Sequence, residues 1–209
     1  MILIFMTSVP FSREGPAAGL TVYDRGLSEL LVVGGGIGGL ATALSAARAG
    51  RRVHVIEKAP AFTEIGAGLQ LAPNATRVLH HLGILDDVLP LATFPKNLLM
   101  MDAMTGRSVT RLDLGGAFRA HYEIPYIVMH RGDLLSAELE ACRREGTITL
   151  ESGREAVSIE QADDCVRVQC QDGTTLRSDA VVGADGLWSL VCRPARRAAI
   201  WTEAAIRKW

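Results

Sequence analysis

No stretch of this chain approaches the roughly 18 consecutive apolar residues that a membrane-spanning helix needs, although 48% of its 209 residues are hydrophobic. An excess of one charge is also missing. Its 22 Lys and Arg stand against 23 Asp and Glu, a formal charge of −1, and no basic cluster gives the electrostatic footprint of a nucleic-acid binder. Cysteine is sparse: Cys142, Cys165, Cys170 and Cys192 share no CxxC or Cys/His spacing. Neither a zinc site nor a disulfide framework is expected, and the thiols suit a reducing, cytoplasmic setting. The apolar start, Met1 to Met6, has no basic leader and no clean small-residue cleavage site after it, which argues against a secretory signal. The length allows one domain, or one and a fraction.

What is present centres on Glu29 to Lys58. An apolar run, Leu30 to Val33, is long enough for one buried strand, and Gly34, Gly36 and Gly39 follow it in a G-x-G-x-x-G arrangement. An alanine-rich helical segment then stops at Gly50, and a second apolar run, Val53 to Ile56, closes on Glu57. Strand, glycine turn, helix, strand and acid is the order of a dinucleotide-binding βαβ unit. In such a unit Gly34 permits the tight turn, Gly36 lets backbone N–H groups approach a pyrophosphate, and Gly39 lets helix pack on strand. The helix N-terminus offers unpaired N–H groups and a partial positive charge to phosphate. Glu57, about 20 residues past the turn, is placed to accept hydrogen bonds from a ribose diol. A carboxylate there repels a 2′-phosphate, which favours FAD or NAD over NADP at this site.

The rest of the chain is less specific. Residues 1–28 carry prolines and glycines without a sustained period and read as a poorly ordered extension. Pro73 and Asn74 open a short helix, with Asn74 as its cap, Val78, Leu79 and Leu82 on one face and Gly83 at its end. His80 and His81 are adjacent and point in different directions, so no metal role follows. Lys96 to Ala103 and Arg107 to Leu114 flank a Thr105-Gly106 hairpin signal. Tyr126 to His130 reads as a strand before a helix carrying Leu134, Leu135, Leu139 and Cys142. Ile148 to Leu150, Ala156 to Glu160 and Val166 to Cys170 alternate with period 2 and predict a β-meander. Ala180 to Val182 is a short buried strand running into Gly183-Ala184-Asp185-Gly186, which sets a carboxylate at a sheet's C-terminal edge.

Four blocks, VVGGGIGGLATA, EIGAGLQLAPNA, MHRGDLL and VVGADGLWSLV, stand in the order found in flavin-dependent aromatic hydroxylases. From Glu29 to about Arg193 the chain resembles that family, the single-component monooxygenases typified by salicylate and hydroxybenzoate hydroxylases. The resemblance implies an α/β fold: a Rossmann-like FAD/NAD(P)-binding fold with an added antiparallel β-meander and the start of a β-rich substrate domain. Residues 29–193 would be a partial FAD-binding domain, with 94–125 a first piece of the substrate sheet and 194–209 an atypical tail. By the same resemblance Gly34, Gly36, Gly38 and Gly39 cradle the FAD pyrophosphate, and Glu57 holds the adenosine ribose with Lys58 beside it. Ala67 and Gly68 lie near the flavin, Arg131 reaches the FAD phosphates or nearby groups, and Asp185 serves near both FAD and the nicotinamide donor.

The implied activity is hydroxylation of a small aromatic substrate with NADH or NADPH and O2. Neither a nucleic acid nor a membrane partner is implied. No catalytic residue is assigned: His121, Tyr122 and His130 are candidates only by type. The family's later Gly-Asp block and long helical tail have no counterpart here, so the chain reads as truncated, its C-terminal half missing. Two alternatives stay open: a non-catalytic remnant with weak or no FAD binding, or another FAD oxidoreductase of the same fold, such as an epoxidase or dehydrogenase. Which ring, which nicotinamide and which oligomer are left open as well.

Overall fold

The computed structural model describes residues 3–6, 28–63, 66–162, 165–187 and 189–191. Most of the expected N-terminal extension, Glu64 and Ile65, Trp188, Cys192 and the 194–209 tail lie outside the described residues. The chain divides into two compact units, residues 1–63 with 139–209 and residues 64–138.

The first unit is built on a mixed sheet. Strands β2 (Ser28–Val33) and β3 (Val53–Glu57) flank helix α1 (Ile37–Arg48) in sequence. Strands β8 (Ile148–Ser152), β9 (Ala156–Gln161), β10 (Val166–Cys170) and β11 (Thr175–Gly183) complete the sheet, with a short strand β1 (Leu3–Met6). Its order is β8-β3-β2-β11-β10-β9, with β1 also on β11. The four strands β8, β3, β2 and β11 run parallel, while β9, β10 and β11 form the antiparallel meander.

The central parallel strands β2 and β3 are apolar with little alternation because both of their faces are covered. Leu31, Val32 and Val33 are all buried, as are Val53, Val55 and Ile56. One cluster joins Leu31, Val33 and Ile56 to Val166, Val168, Cys170, Val181 and Val191. Helix α1 buries Gly39, Leu40, Ala43 and Leu44 and ends, as its Gly50 signal predicts, with that glycine at φ 78°. Two expectations change here. Ile148 to Ser152 does not join the meander but lies parallel to β3 at the sheet edge, with Glu57 opposite Ser152. Period-2 alternation marks a strand but does not name its neighbour, and Gly153 at φ 70° turns the chain away from the hairpin path. Within the expected extension, Leu3–Met6 pairs antiparallel with Ala180–Gly183.

The second unit contains β4 (Gly68–Leu71), α2 (Pro73–His81), α3 (Leu85–Val88), β5 (Asn97–Met101), β6 (Ser108–Asp113), α4 (Gly116–Tyr122) and β7 (Ile127–His130). Strand β4 pairs antiparallel with β7, and β5 with β6. Helix α5 (Arg131–Arg144) follows β7 directly and carries the division between the units. Helix α2 caps at Ala72, with Pro73 at its first turn, not at Asn74; proline's fixed φ and missing N–H suit that position. Its buried face is Pro73, Thr76 and Leu79, whereas Val78 is exposed, so the helix is rotated from the face that its apolar residues alone suggest. Thr76 is tolerated inside because its Oγ1 donates to Pro125 O at 2.9 Å. Helix α4 has no apolar period to announce it.

Among the described residues no helix is long and apolar enough to cross a membrane, and no group of side chains could hold a metal ion. Cys142, Cys165 and Cys170 are buried and, among the described residues, are not joined in a disulfide.

Candidate functional site

In the first unit, the glycine turn is shaped by what surrounds it. Gly34 sits at φ 108°, its N–H bound to Ile56 O at 2.8 Å. A Cβ built there would fall 2.4 Å from Ala184 O. A Cβ on Gly39 would fall 1.9 Å from Gly34 O, so the first turn of α1 passes against the turn with no room for a side chain. Both glycines are demanded by the fold. Gly36 and Gly38 are different: a Cβ at either meets nothing within 4 Å. Gly36 has ordinary extended backbone, φ −75° and ψ −179°, and stands at the N-cap of α1 without a side-chain cap, with no acid in the first turn. The helix therefore begins with donors and a positive dipole end facing open space.

Glu57 ends β3 beside this opening. Its Oε2 accepts from Gly35 N–H at 2.7 Å and its Oε1 from Ala59 N–H at 2.9 Å. Each carboxylate oxygen can accept two hydrogen bonds, so both retain capacity for a diol. Gly35 was not singled out by the sequence reading, yet it orients the acid. Phe62 was missed as well: its ring lies so close that a Cβ on Gly35 would be 2.4 Å away. The run of three consecutive glycines was the only sequence signal for Gly35, and none marked Phe62. Lys58 is exposed.

Asp185 is brought to the same turn. Ala184 N–H donates to Val33 O at 2.7 Å, and a Cβ on Gly34 would also crowd Asp185 N. Asp185 Oδ2 accepts from Leu190 N–H at 2.6 Å and Val191 N–H at 3.3 Å. Its Oδ1 is buried without a protein partner among the described residues.

In the second unit, Ala67, Gly68 and Arg131 come together. Arg131 N–H donates to Ala67 O at 3.3 Å, Gly68 pairs with His130, and a Cβ on Gly66 would press on Arg131 Cδ at 2.8 Å. The small residues of this segment thus let it run alongside the arginine stem. His130 Nδ1 accepts from Gly132 N–H at 3.1 Å, and the His121 ring meets Tyr122 edge-on at 4.7 Å. Those contacts account for both histidines locally.

An open cradle at Gly36 and Gly38, an uncapped helix start, an oriented carboxylate with spare acceptor capacity and a buried unpartnered Asp185 oxygen together fit a dinucleotide. Comparison with known proteins agrees. The family described as FAD binding domain matches residues 28–207. The chain is 42% identical over 164 residues to 3-hydroxybenzoate 6-hydroxylase 1 of Aquipseudomonas alcaligenes, covering 78% of this chain and 42% of that protein. It is 34% identical over 166 residues to 6-hydroxynicotinate 3-monooxygenase of Bordetella bronchiseptica, covering 78% and 42%. Among solved structures, 2-methyl-3-hydroxypyridine-5-carboxylic acid oxygenase superposes with a TM-score of 0.66 at 33% identity, covering 78% of this chain and 40% of that one. The flavin-dependent monooxygenase PieE, in complex with FAD and substrate, gives 0.67 at 27%, covering 78% and 31%. The chain spans about two fifths of the length of the curated relatives it matches. It belongs to the FAD binding domain family.

Proposed function

We propose that the first unit binds the ADP half of FAD and that the chain is the cofactor-binding part of a monooxygenase hydroxylating a small aromatic substrate. Gly36, Gly38 and the start of α1 take the pyrophosphate, and Glu57 takes the adenosine ribose diol. Asp185, in the same unit, serves the phosphate portion; the Ala67, Gly68 and Arg131 cluster of the second unit is by itself suited to a phosphate or a flat ring. FAD, when bound, supplies electron transfer from NADH or NADPH and the activation of O2 for oxygen transfer to the ring. This chain's residues bind, orient and electrostatically complement it. The observation carrying the reading is the empty space at Gly36 beside a carboxylate already aimed by two backbone N–H groups.

The test is competition. FAD bound to the purified chain should be displaced by ADP and little by FMN, because the cradle holds the adenine side of the molecule. FMN competing as well as ADP would remove this assignment. With FAD, NADH or NADPH and 3-hydroxybenzoate added, a hydroxylated ring supports the monooxygenase reading. A second reading, FAD binding without hydroxylation, is favoured by the absence of any assigned acid or base. Nicotinamide oxidation yielding peroxide alone would support it.

A further inference from the structure

We propose that Arg154 is a positioning residue for the ribose acceptor Glu57, an inference that rests on the FAD reading above. The argument begins where the β3–β8 pairing ends, at Glu57 opposite Ser152. Past that pair, Gly153 N–H donates to Ala59 O at 2.7 Å and Arg154 N–H donates to Glu57 O at 2.9 Å. The main chain on both sides of Lys58 is therefore held by two residues that have already left their strand. Ala59 in turn donates its own N–H to Glu57 Oε1, so the same loop aims the carboxylate.

Residues 153 and 154 need an anchor of their own, and the Arg154 side chain supplies it. One guanidinium nitrogen lies 2.6 Å from Glu151 Oε1. A second lies 2.8 Å from Asp172 Oδ2 and 2.5 Å from Thr174 Oγ1. Asp172 is itself fixed by Thr174 N–H at 3.0 Å, and His54 Nε2 lies 3.0 Å from Glu151 Oε2. Arg154 is only 20% exposed. A planar fork meeting three acceptors from two separate elements, the end of β8 and the β10–β11 turn, fixes a position that a flexible point charge cannot. No side-chain contact joins Arg154 to the Glu57 carboxylate; its influence passes through the backbone, hence a positioning role.

A double-mutant cycle reads this directly. FAD affinity is measured by flavin fluorescence for the parent, Glu57→Ala, Arg154→Met and the double variant, with ligand-free melting recorded for each. Arg154→Met should weaken FAD roughly tenfold, the low end of what losing an orienting partner costs in metal sites. In the Glu57→Ala background it should weaken FAD by less than about twofold, because the acceptor it orients is gone. An equal loss in both backgrounds, or no loss in the parent, overturns the proposal. If Glu57→Ala binds FAD as the parent does, the underlying ribose reading fails instead. Should Arg154→Met not fold, Asp172→Asn at the exposed turn removes one anchor. It should cost about threefold in the parent and nothing in Glu57→Ala; equal costs again overturn the proposal.

Discussion

Replacing Gly36 with valine separates what the glycine turn does for the fold from what it does for a ligand. A Cβ at Gly36 meets nothing within 4 Å, and its φ of −75° is open to any residue. Losing a glycine N-cap costs about 0.5–1 kcal/mol, and a stiffer unfolded chain returns about 0.4–1 kcal/mol. The net change is near zero, and the melting temperature should stay within ~4 °C of the parent, since about 1 kcal/mol moves a chain of this size by 2–4 °C. Binding is another matter. The valine branches occupy the approach to the first N–H groups of α1, where a charge-assisted hydrogen bond is worth about 1.5–3 kcal/mol. Losing one such bond weakens FAD by about 10- to 150-fold at roughly 1.4 kcal/mol per tenfold.

Gly39→Ala is the opposite control. Its Cβ would fall 1.9 Å from Gly34 O, a backbone atom that cannot swing aside. The expected cost is about 3 kcal/mol or more, the upper end of overpacking penalties, seen as a lower melting temperature before any ligand is added. The assay is flavin fluorescence titration beside ligand-free thermal melting. A Gly36→Val chain that melts like the parent and also binds FAD like the parent would refute the cradle.

Three further outcomes are expected. Glu57→Ala should weaken FAD by about 1–3 kcal/mol; an unchanged titration would make Glu57 a solvated strand end. Thr76→Val keeps the shape of a buried side chain but strips Pro125 O of its donor. It should cost about 1–3 kcal/mol in urea unfolding, and a neutral result would mean that this carbonyl finds another partner. Burial alone would raise the Glu151 carboxyl, but the hydrogen bond and charge of Arg154, helped by His54, hold it below the ordinary value. A carboxyl depressed in the folded state stabilises above its unfolded pKa of about 4.3, and that stability is lost as pH falls through the folded value. Unfolding midpoints should therefore drop less steeply below about pH 4.3 in Glu151→Gln than in the parent; parallel curves would contradict the linkage.

The parts of the fold legible in the sequence are those fixed by neighbours close along the chain. The β2–α1–β3 unit is one: the positive φ of Gly34 and Gly50 and the close pass of Gly39 on Gly34 O are local demands, although the atoms that crowd Gly34 itself, in Ala184 and Asp185, lie far along the chain. Its acid at Glu57 was placed by the same short spacing. The donors that aim that acid were not legible, although Gly35 lies in the turn itself, because only the folded path brings its N–H to the carboxylate. Arg154 is more distant still, nearly a hundred residues on, and its role depends on β8 lying beside β3. The alternating pattern of Ile148 to Leu150 could not settle that choice: a period of 2 gives the same face to an edge strand of a parallel sheet as to a strand of a meander.

The β5–β6 hairpin carries the same lesson in the other direction. Its turn was readable from Thr105-Gly106, with Gly106 at φ 67°; the bond that closes it, Asp102 Oδ1 accepting from the N–H groups of Met104 and Thr105, is likewise local and needs no tertiary partner. Its apolar content was read as strand, correctly, yet Leu99, Met100, Met101, Val109 and Leu112 are all exposed. An apolar run states that a strand is suited to being covered; it does not supply the cover. In β2 and β3 the cover is α1 and the meander, both encoded within the described chain, so propensity and burial agree. In β5 and β6 only the pairing is local, and two strands alone are marginally stable in water. The site that can be argued residue by residue is therefore the one whose sequence signals and packing partners lie in the same unit, at the glycine turn.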